Sequence, residues 1–416
     1  MAQSKKQGKQ QRAGASFTQA RVRNSLWRRL FIALPLMLLA LLFTVVFNRL
    51  GLLTQLETIT LDAQMRLDEP AGESPVVIVD ITQQDFERDF QGQTRPLHPG
   101  ALRKLIDAVA RGKPCLIGVD IDTHFPQFKT FELSKDWPPI VWAREIEEAT
   151  AEVSEKVSPL DVLGGQDRVL NESSGLSLLI DDPGKITRSY TRLIDTKSGL
   201  APSLAWAVYK AGANARCPGF TNASLEESVE PLFIRYSRGP EGTGRARIPS
   251  SHIINLARGE SWEKNALLTG KIVLIGGSYL GDDVHVTPLG QMAGVEVIAN
   301  VVETELRGGG LKSPGRLTIG LLLFFEGFLL IALFQLFTRK KALFLTLPVV
   351  VILALACSLL SYGTLSRWAI FVPIMLGVVA AECIDMLRDV YKQKIKDFIS
   401  RRRASQTGGT PTPRQD

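Results

Sequence analysis

Apolar residues are unevenly distributed along this chain. Four runs are apolar almost without interruption: "LFIALPLMLLALLFTVVF" (30–47), "LTIGLLLFFEGFLLIALFQLF" (317–337), "ALFLTLPVVVILALACSLLSY" (342–362) and "AIFVPIMLGVVAAECIDML" (369–387). A helix needs about 20 such residues to cross a bilayer, and each run reaches or approaches that length. Pro35 is tolerable inside the first. Between the first and second runs the pattern changes. Short apolar blocks alternate with stretches of helical period. "PVVIVDI" (75–81), "PCLIGVDID" (114–122), "PPIVWA" (138–143), "PLFIRY" (231–236) and "GKIVLIGG" (270–277) read as strands. Helices are expected at "LETITLDAQMRL" (56–67), "HPGALRKLIDAVARG" (98–112), "PSLAWAVYKAG" (202–212), "PSSHIINLARG" (249–259) and "GVEVIANVVETELRG" (294–308), with Ser250 or Ser251 capping the fourth. "LSLLIDDPGKITRSYTRLI" reads as strand–turn–strand, with Asp182, Pro183 and Gly184 making the turn. This alternation predicts an α/β sandwich around a largely parallel, mixed sheet with one hairpin, carried by four transmembrane helices.

Charge orients this arrangement. The net charge of +7 would by itself suggest a nucleic-acid partner. Its location argues otherwise. Residues 1–29 hold eight Lys/Arg and no acid, residues 338–341 hold three basic residues, and residues 388–416 hold eight basic and three acidic ones. The rest of the chain is therefore acidic. Basic clusters beside apolar runs mark cytoplasmic flanks, not a nucleic-acid surface. The first run lacks an A-x-A-like cleavage site, since "TVVFNRLG" follows its core, so it reads as an uncleaved anchor. The expected order is a basic, disordered cytoplasmic segment (1–29), a first span (30–47) and an extracytoplasmic domain (48–316). Three further spans (317–337, 342–362, 369–387) and a basic cytoplasmic tail (388–416) follow. All three basic clusters then fall on one side. A bacterial inner membrane, with the domain in the periplasm and both termini inside, fits this topology.

Candidate chemistry is sparse. Asp80, Asp120 and Asp122 lie at the ends of expected strands, and Ser278, Asp282 and Asp283 follow another. Ligands of open α/β sheets bind outside the carboxyl ends of strands, so these six residues are the candidate ligand-binding set. Capping of following helices and buried salt bridges are the other roles open to the same acids. Arg95 and His98 could face that rim. "IVLIGGSYLGDD" looks like a phosphate loop but lacks its Gly-Lys-Ser/Thr ending. Cys115 and Cys217 lie outside the membrane, where a disulfide is permitted; two buried thiols fit the sequence equally well. There is no CxxC, and His98, His124, His252 and His285 are scattered, so neither a metal site nor a cofactor is expected. No nucleophile–base pair stands out, and the chain does not read as an enzyme. Glu326 lies within the second span, where a charge costs at least a few kcal/mol, and would serve as a polar contact between helices or protomers. Gly308, Gly309 and Gly310 join the last expected helix to that span. With Glu326 they are the candidate signal-coupling residues, and three glycines make a compliant joint.

Several of these segments occur together in one known pattern. The order is "VVIVDI", "RPLHPGALRKLIDAVARGKPCLIGVDI", "DDPGKITRSYTRL", "APSLAWAVYKA" and, last, "LTGKIVLIGGSYLGDDVHVTPLGQMAGVEVIANVVETEL". It resembles the second type of CHASE domain, an extracytoplasmic sensory domain associated with cyclases and histidine kinases. The resemblance covers about residues 56–308. The closing segment is its most specific part, and one helix before the domain with three after it is also typical. The family usually continues "VVIVD" with another Asp and a Ser; here Ile81, Thr82 and Gln83 follow. The resemblance implies sensing of an unidentified extracytoplasmic ligand. Members usually carry a kinase or cyclase domain after the last span. The 29 residues beyond 387 are fewer than the roughly 40 a small domain needs. The expectation is a membrane-anchored sensor that signals to a separate protein partner. The alternative is a structural or assembly subunit of an envelope complex, binding protein through the same domain. Either could be a homo-oligomer.

Overall fold

A computed structural model describes residues 52–67, 73–92, 96–147, 157–165, 173–179, 181–182, 184–220, 225–237, 245–259, 262, 266–281, 283–312, 391 and 393–400. The chain divides into two units, one of residues 60–313 and one of residues 1–59 with 314–416. In the second, residues 52–59, 391 and 393–400 are helical. The four apolar runs and Glu326 lie outside the described residues. Among the described residues no helix is long and apolar enough to cross a membrane.

The unit 60–313 is built on a six-stranded sheet. Its strands are β1 (Val76–Ile81), β2 (Leu116–Val119), β3 (Ile140–Arg144), β4 (Ser174–Leu176), β9 (Arg247–Pro249) and β10 (Ile272–Gly277). They lie in the order β4-β3-β2-β10-β1-β9, and every registered pairing is parallel. "VVIVDI" is buried at all six positions. A strand covered on both faces carries such a continuous apolar run, and β-branched residues suit it.

Helices cover both faces. On one lie α2 (Gln83–Asp89), α3 (Pro99–Arg111) and α5 (Ser250–Ala257). In α3, Leu102, Leu105, Ile106 and Val109 recur at helical spacing and meet Val77, Val79, Ile117, Val119, Val273 and Ile275 of the sheet. His98 caps α3 by accepting from the Ala101 amide at 3.2 Å, and Pro99 supplies its first turn. On the other face lie α4 (Leu204–Asn214) and α6 (Gly294–Leu306). The entry helix α1 (Leu52–Leu67) buries Leu61 and Met65, one turn apart.

Three antiparallel ribbons stand outside the main sheet: β5 (Ser189–Tyr190) with β8 (Leu232–Phe233), β6 (Leu193–Thr196) with β7 (Gly199–Pro202), and β11 (Val284–Thr287) with β12 (Gly290–Ala293). The expected hairpin around Asp182 is thus only half present. Lys185 N–H donates to Asp182 O, which makes the turn, but β5 pairs with β8 rather than folding back on β4. β4 pairs with parallel β3 on one edge, and its Leu176 bridges to Ser203 as well, so the segment beyond the turn finds another partner. Ser250 also departs from expectation. It does not cap α5; its Oγ donates to Asp85 Oδ2 at 3.1 Å. Asp85 belongs to a capping box with Thr82 at the start of α2, a helix the apolar pattern did not announce.

Cys115 and Cys217 form a disulfide, with Cα atoms 5.7 Å apart and 102 residues apart in sequence. It joins the start of β2 to the chain leaving α4. A crosslink that closes so long a loop removes much chain entropy from the unfolded state. Reduction, or replacement of both cysteines by serine, is expected to lower the unfolding free energy by about 2–5 kcal/mol. Denaturant unfolding with and without reductant measures this, and the double serine variant should no longer respond to reductant.

Candidate functional site at the carboxyl edge of the sheet

Asp80 and Asp120 occupy one row at the carboxyl edge. Asp80 is in register with Gly276 of β10, and the Asp120 amide donates to Ile275 O at 2.7 Å from the other side. Val79, Ile275 and Val119 point into the core under α3, so the next residues of the row face the α6 side. Two polar clusters grow from this row.

The first centres on Asp80, which is 4% exposed. Its Oδ2 accepts from Arg247 Nε and Nη2 at 3.0 and 2.9 Å and from Ser278 Oγ at 2.9 Å. Oδ1 is buried and, among the described residues, has no hydrogen-bond partner. Arg247 reaches on to Glu296 of α6 at 3.2 Å. From there charges alternate along the helix. Arg245 lies 3.9 Å from Glu296 and 3.3 Å from Glu303, and Arg307 lies 3.6 Å from Glu303. Asn300, one turn after Glu296, accepts from the Ser237 amide at 2.9 Å. Glu296, Asn300, Glu303 and Arg307 therefore make one stripe from the rim to the end of α6.

The second cluster holds Asp120, Asp283 and His285. Asp120 accepts from Ser177 Oγ at 2.7 Å. Burial first, and the Asp283 charge second, push its carboxyl up to about 7 against the opposing Ser177 hydrogen bond. His285 Nε2 lies 3.0 Å from Asp283 Oδ1, and Nδ1 lies 3.9 Å from Asp181 and 3.5 Å from Thr187 Oγ1. The hydrogen bond to Asp283 is the main reason its imidazole holds a proton above the usual pH, against partial burial. A Cβ on Gly294 at the start of α6 would lie 2.1 Å from Asp283 Oδ2, so any side chain there would displace this carboxylate.

Two buried ties hold the points where the chain enters and leaves this unit. Arg188 grips Asp62 of α1 with Nε (2.7 Å) and Nη2 (2.9 Å), and Asp182 with Nη1 (3.0 Å). At the exit, Arg192 holds Glu305 with two hydrogen bonds of 2.8 Å and stacks 4.5 Å from the Trp206 ring. Tyr190 Oη donates to Glu305 and accepts from the Gly310 amide at 3.1 Å. Leu311 exchanges backbone hydrogen bonds with Phe233.

Of the six expected ligand residues, Asp80 and Ser278 meet in the first cluster, and Asp120 and Asp283 in the second. Asp122 stands apart, bonded to His124 at 2.6 Å, and Asp282 lies outside the described residues, as does Arg95. His98 serves as the α3 cap. Among the described residues no group of three or more His, Cys, Asp or Glu could hold a metal ion. Gly309 and Gly310 are buried rather than loosely exposed. Gly309 has φ +96°, and a Cβ on it would lie 2.9 Å from Arg192 Nη2, so glycine is needed for packing as much as for bending. Sequence reasoning missed Arg188, Arg192, Arg245 and Arg247. Arg247 sits inside a short strand next to apolar Ile248, a position where a cation calls for a buried partner.

The CHASE2 domain family matches residues 37–338. The chain belongs to this family. CHASE2 domains are extracytoplasmic sensory domains, so the resemblance seen in the closing strand–"TPLG"–"GVEVIAN" segment holds over most of the chain. No curated protein and no solved structure matches it. In this CHASE2 domain the quoted "IVLIGG" is β10, one of the two central strands, and "GVEVIAN" opens α6.

Two outcomes follow for the CHASE2 domain. Replacing Arg192 by Met leaves Glu305 buried without its cation, and breaking such a pair costs about 3–5 kcal/mol, readable by denaturant unfolding. The second concerns pH. Asp120 titrates above the ordinary 3.8 of a carboxyl, so the native state binds the extra proton between there and about 7. Its contribution therefore falls as pH rises through that window. His285, raised above 6.5, contributes stability below that pH and loses it as pH rises further. Thermal unfolding is expected at lower temperature near pH 8 than near pH 6, with most of the difference removed by Asp120→Asn.

Proposed function

We propose that this chain is a membrane-anchored extracytoplasmic sensor that passes its signal to a separate protein. The family supports sensing. The apolar runs flanking the domain, with basic clusters on one side, support an anchor in a bacterial inner membrane with the domain in the periplasm. The observation that carries the mechanism is the pair of buried ties. Asp62 at the entry and Gly310 at the exit are each fixed, through arginine-centred networks, to the body that carries the rim. A stimulus at the carboxyl edge can thus bias both connections to the membrane. It does so only by its differential affinity for two arrangements of the domain. The basic segment beyond residue 387 is the proposed contact with the partner. The rim acids and Ser278 are the proposed receiving groups, and Gly308–Gly310 with Glu326 the proposed coupling route.

In-cell photocrosslinking from positions in 388–416 tests this. A sensor gives a crosslink to a cytoplasmic signalling protein, with a yield that changes when conditions outside the cell change. A constant, stoichiometric crosslink to an envelope protein under all conditions would instead mark an assembly subunit and end the sensor reading.

A further inference from the structure

The second cluster has two features a structural network does not need. Among the described residues, carboxylates outnumber cations around His285, and the cluster adjoins the tie to the entry helix. The charged groups acting on Asp120 are Asp283 from the loop after β10, Glu145 from beyond β3 and His285 of β11. Ser177 beyond β4 adds only a hydroxyl. On His285 act Asp283, Asp181 and Asp120. The nearby arginines are engaged elsewhere: Arg144 donates to Leu160 O, Arg188 to Asp62 and Asp182, and Arg247 to Asp80 and Glu296. At α6, Glu296 faces Arg245 and Arg247 rather than this cluster. Among the described residues, His285 thus stands among Asp120, Asp181 and Asp283, drawn from separate elements.

The turn 181–188 reads this cluster on one side and α1 on the other. Asp181 and Thr187 face His285, and the Thr187 amide donates to Val286 O at 2.8 Å. Of the adjacent residues, Arg188 clamps both Asp62 and Asp182. A side-chain step of one residue separates the two functions.

We propose that the stimulus this domain reads is the extracytoplasmic proton concentration, bound at Asp120 and His285 and passed to α1 through the turn 181–188. The proposal rests on the sensor reading above and gives that sensor its ligand. In acid, His285 is a cation that bridges Asp283 on the hairpin side and Asp181 on the turn, while Asp120 is neutral. As pH rises, Asp120 ionises against Asp283 and the imidazole loses its charge. The bridge weakens and repulsion replaces it, freeing the turn on that side. The grip of Arg188 on Asp62 then shifts with it. The values about 7 for Asp120 and above 6.5 for His285 place this exchange where a periplasm-facing group meets changing external pH.

The test uses the full chain in lipid nanodiscs. Spin labels go at Ala63 of α1 and Gln291 of β12, both exposed, with Cys357 and Cys383 replaced by alanine. The distance distribution is measured from about pH 5 to about pH 8.5. The expected result is a change with a midpoint between about pH 6 and about pH 8, displaced by at least one pH unit or lost in Asp120→Asn and in His285→Gln. Asp136→Asn, an exposed carboxylate that belongs to neither cluster, should titrate like the parent. An invariant distance overturns the proposal, and so does a titration that both variants share with the parent. If pH is silent while the in-cell crosslink still answers another outside stimulus, the proton proposal alone fails. If the distance titrates but no crosslink responds, the sensor reading fails instead.

Discussion

A helix buried along almost its whole length, carrying three carboxylates, can exist only if cations come to it. That constraint shapes this domain. In α6, Glu296, Glu303 and Glu305 are all at most 8% exposed. Leaving one such charge unpaired would cost several kcal/mol. Arg245 comes from the segment leading into β9, Arg247 from β9 itself, Arg192 from the segment before β6, and Arg307 from the C-cap of the helix. These pairings fix which irregular segments pack on α6. They also connect the rim, through Asp80 and Arg247, to the exit at Gly310. The apolar core under α3 makes the sheet; the ion pairs of α6 make the sheet one body with its termini.

This division explains what the sequence revealed. Strands buried on both faces carry continuous apolar runs, so β1, β2, β3 and β10 were legible, as were α3, α4, α5 and α6 with their apolar stripes. The three-residue strands β4 and β9 were not. Each is short, and β9 reads "RIP", whose arginine hides it from any apolar pattern. Helix α2 was missed because its signal is the Thr82–Asp85 capping box rather than a stripe. The hairpin at Asp182 was half legible: turn chemistry is local and survives, while strand pairing is decided by distant neighbours.

The position of the candidate residues was legible in outline. The rule that ligands gather at the carboxyl ends of parallel strands pointed to one edge of the sheet, where Asp80, Asp120 and Ser278 lie. It could not divide them. Arg247 neutralises Asp80, whereas the charges acting on Asp120 are further acids and one histidine, with only the Ser177 hydroxyl hydrogen-bonded to it. Two aspartates at equivalent places therefore have opposite electrostatic surroundings, and no spacing in the sequence records that. The coupling residues show the same limit. Three consecutive glycines read as a loose joint, yet the Gly308 and Gly309 amides bond back to α6 and Tyr190 holds Gly310.

The central claim is that the rim and the exit move as one body through α6. Backbone hydrogen exchange of the full chain, comparing the parent with Arg247→Met, tests it most directly. The Gly310 amide, bonded to Tyr190, lies at the far end of the helix from Arg247. Faster exchange at Gly310 and Leu311 as well as around Asp80 is the result this account requires. Faster exchange confined to β9 and the start of α6, with Gly310 and Leu311 as protected as in the parent, would contradict it.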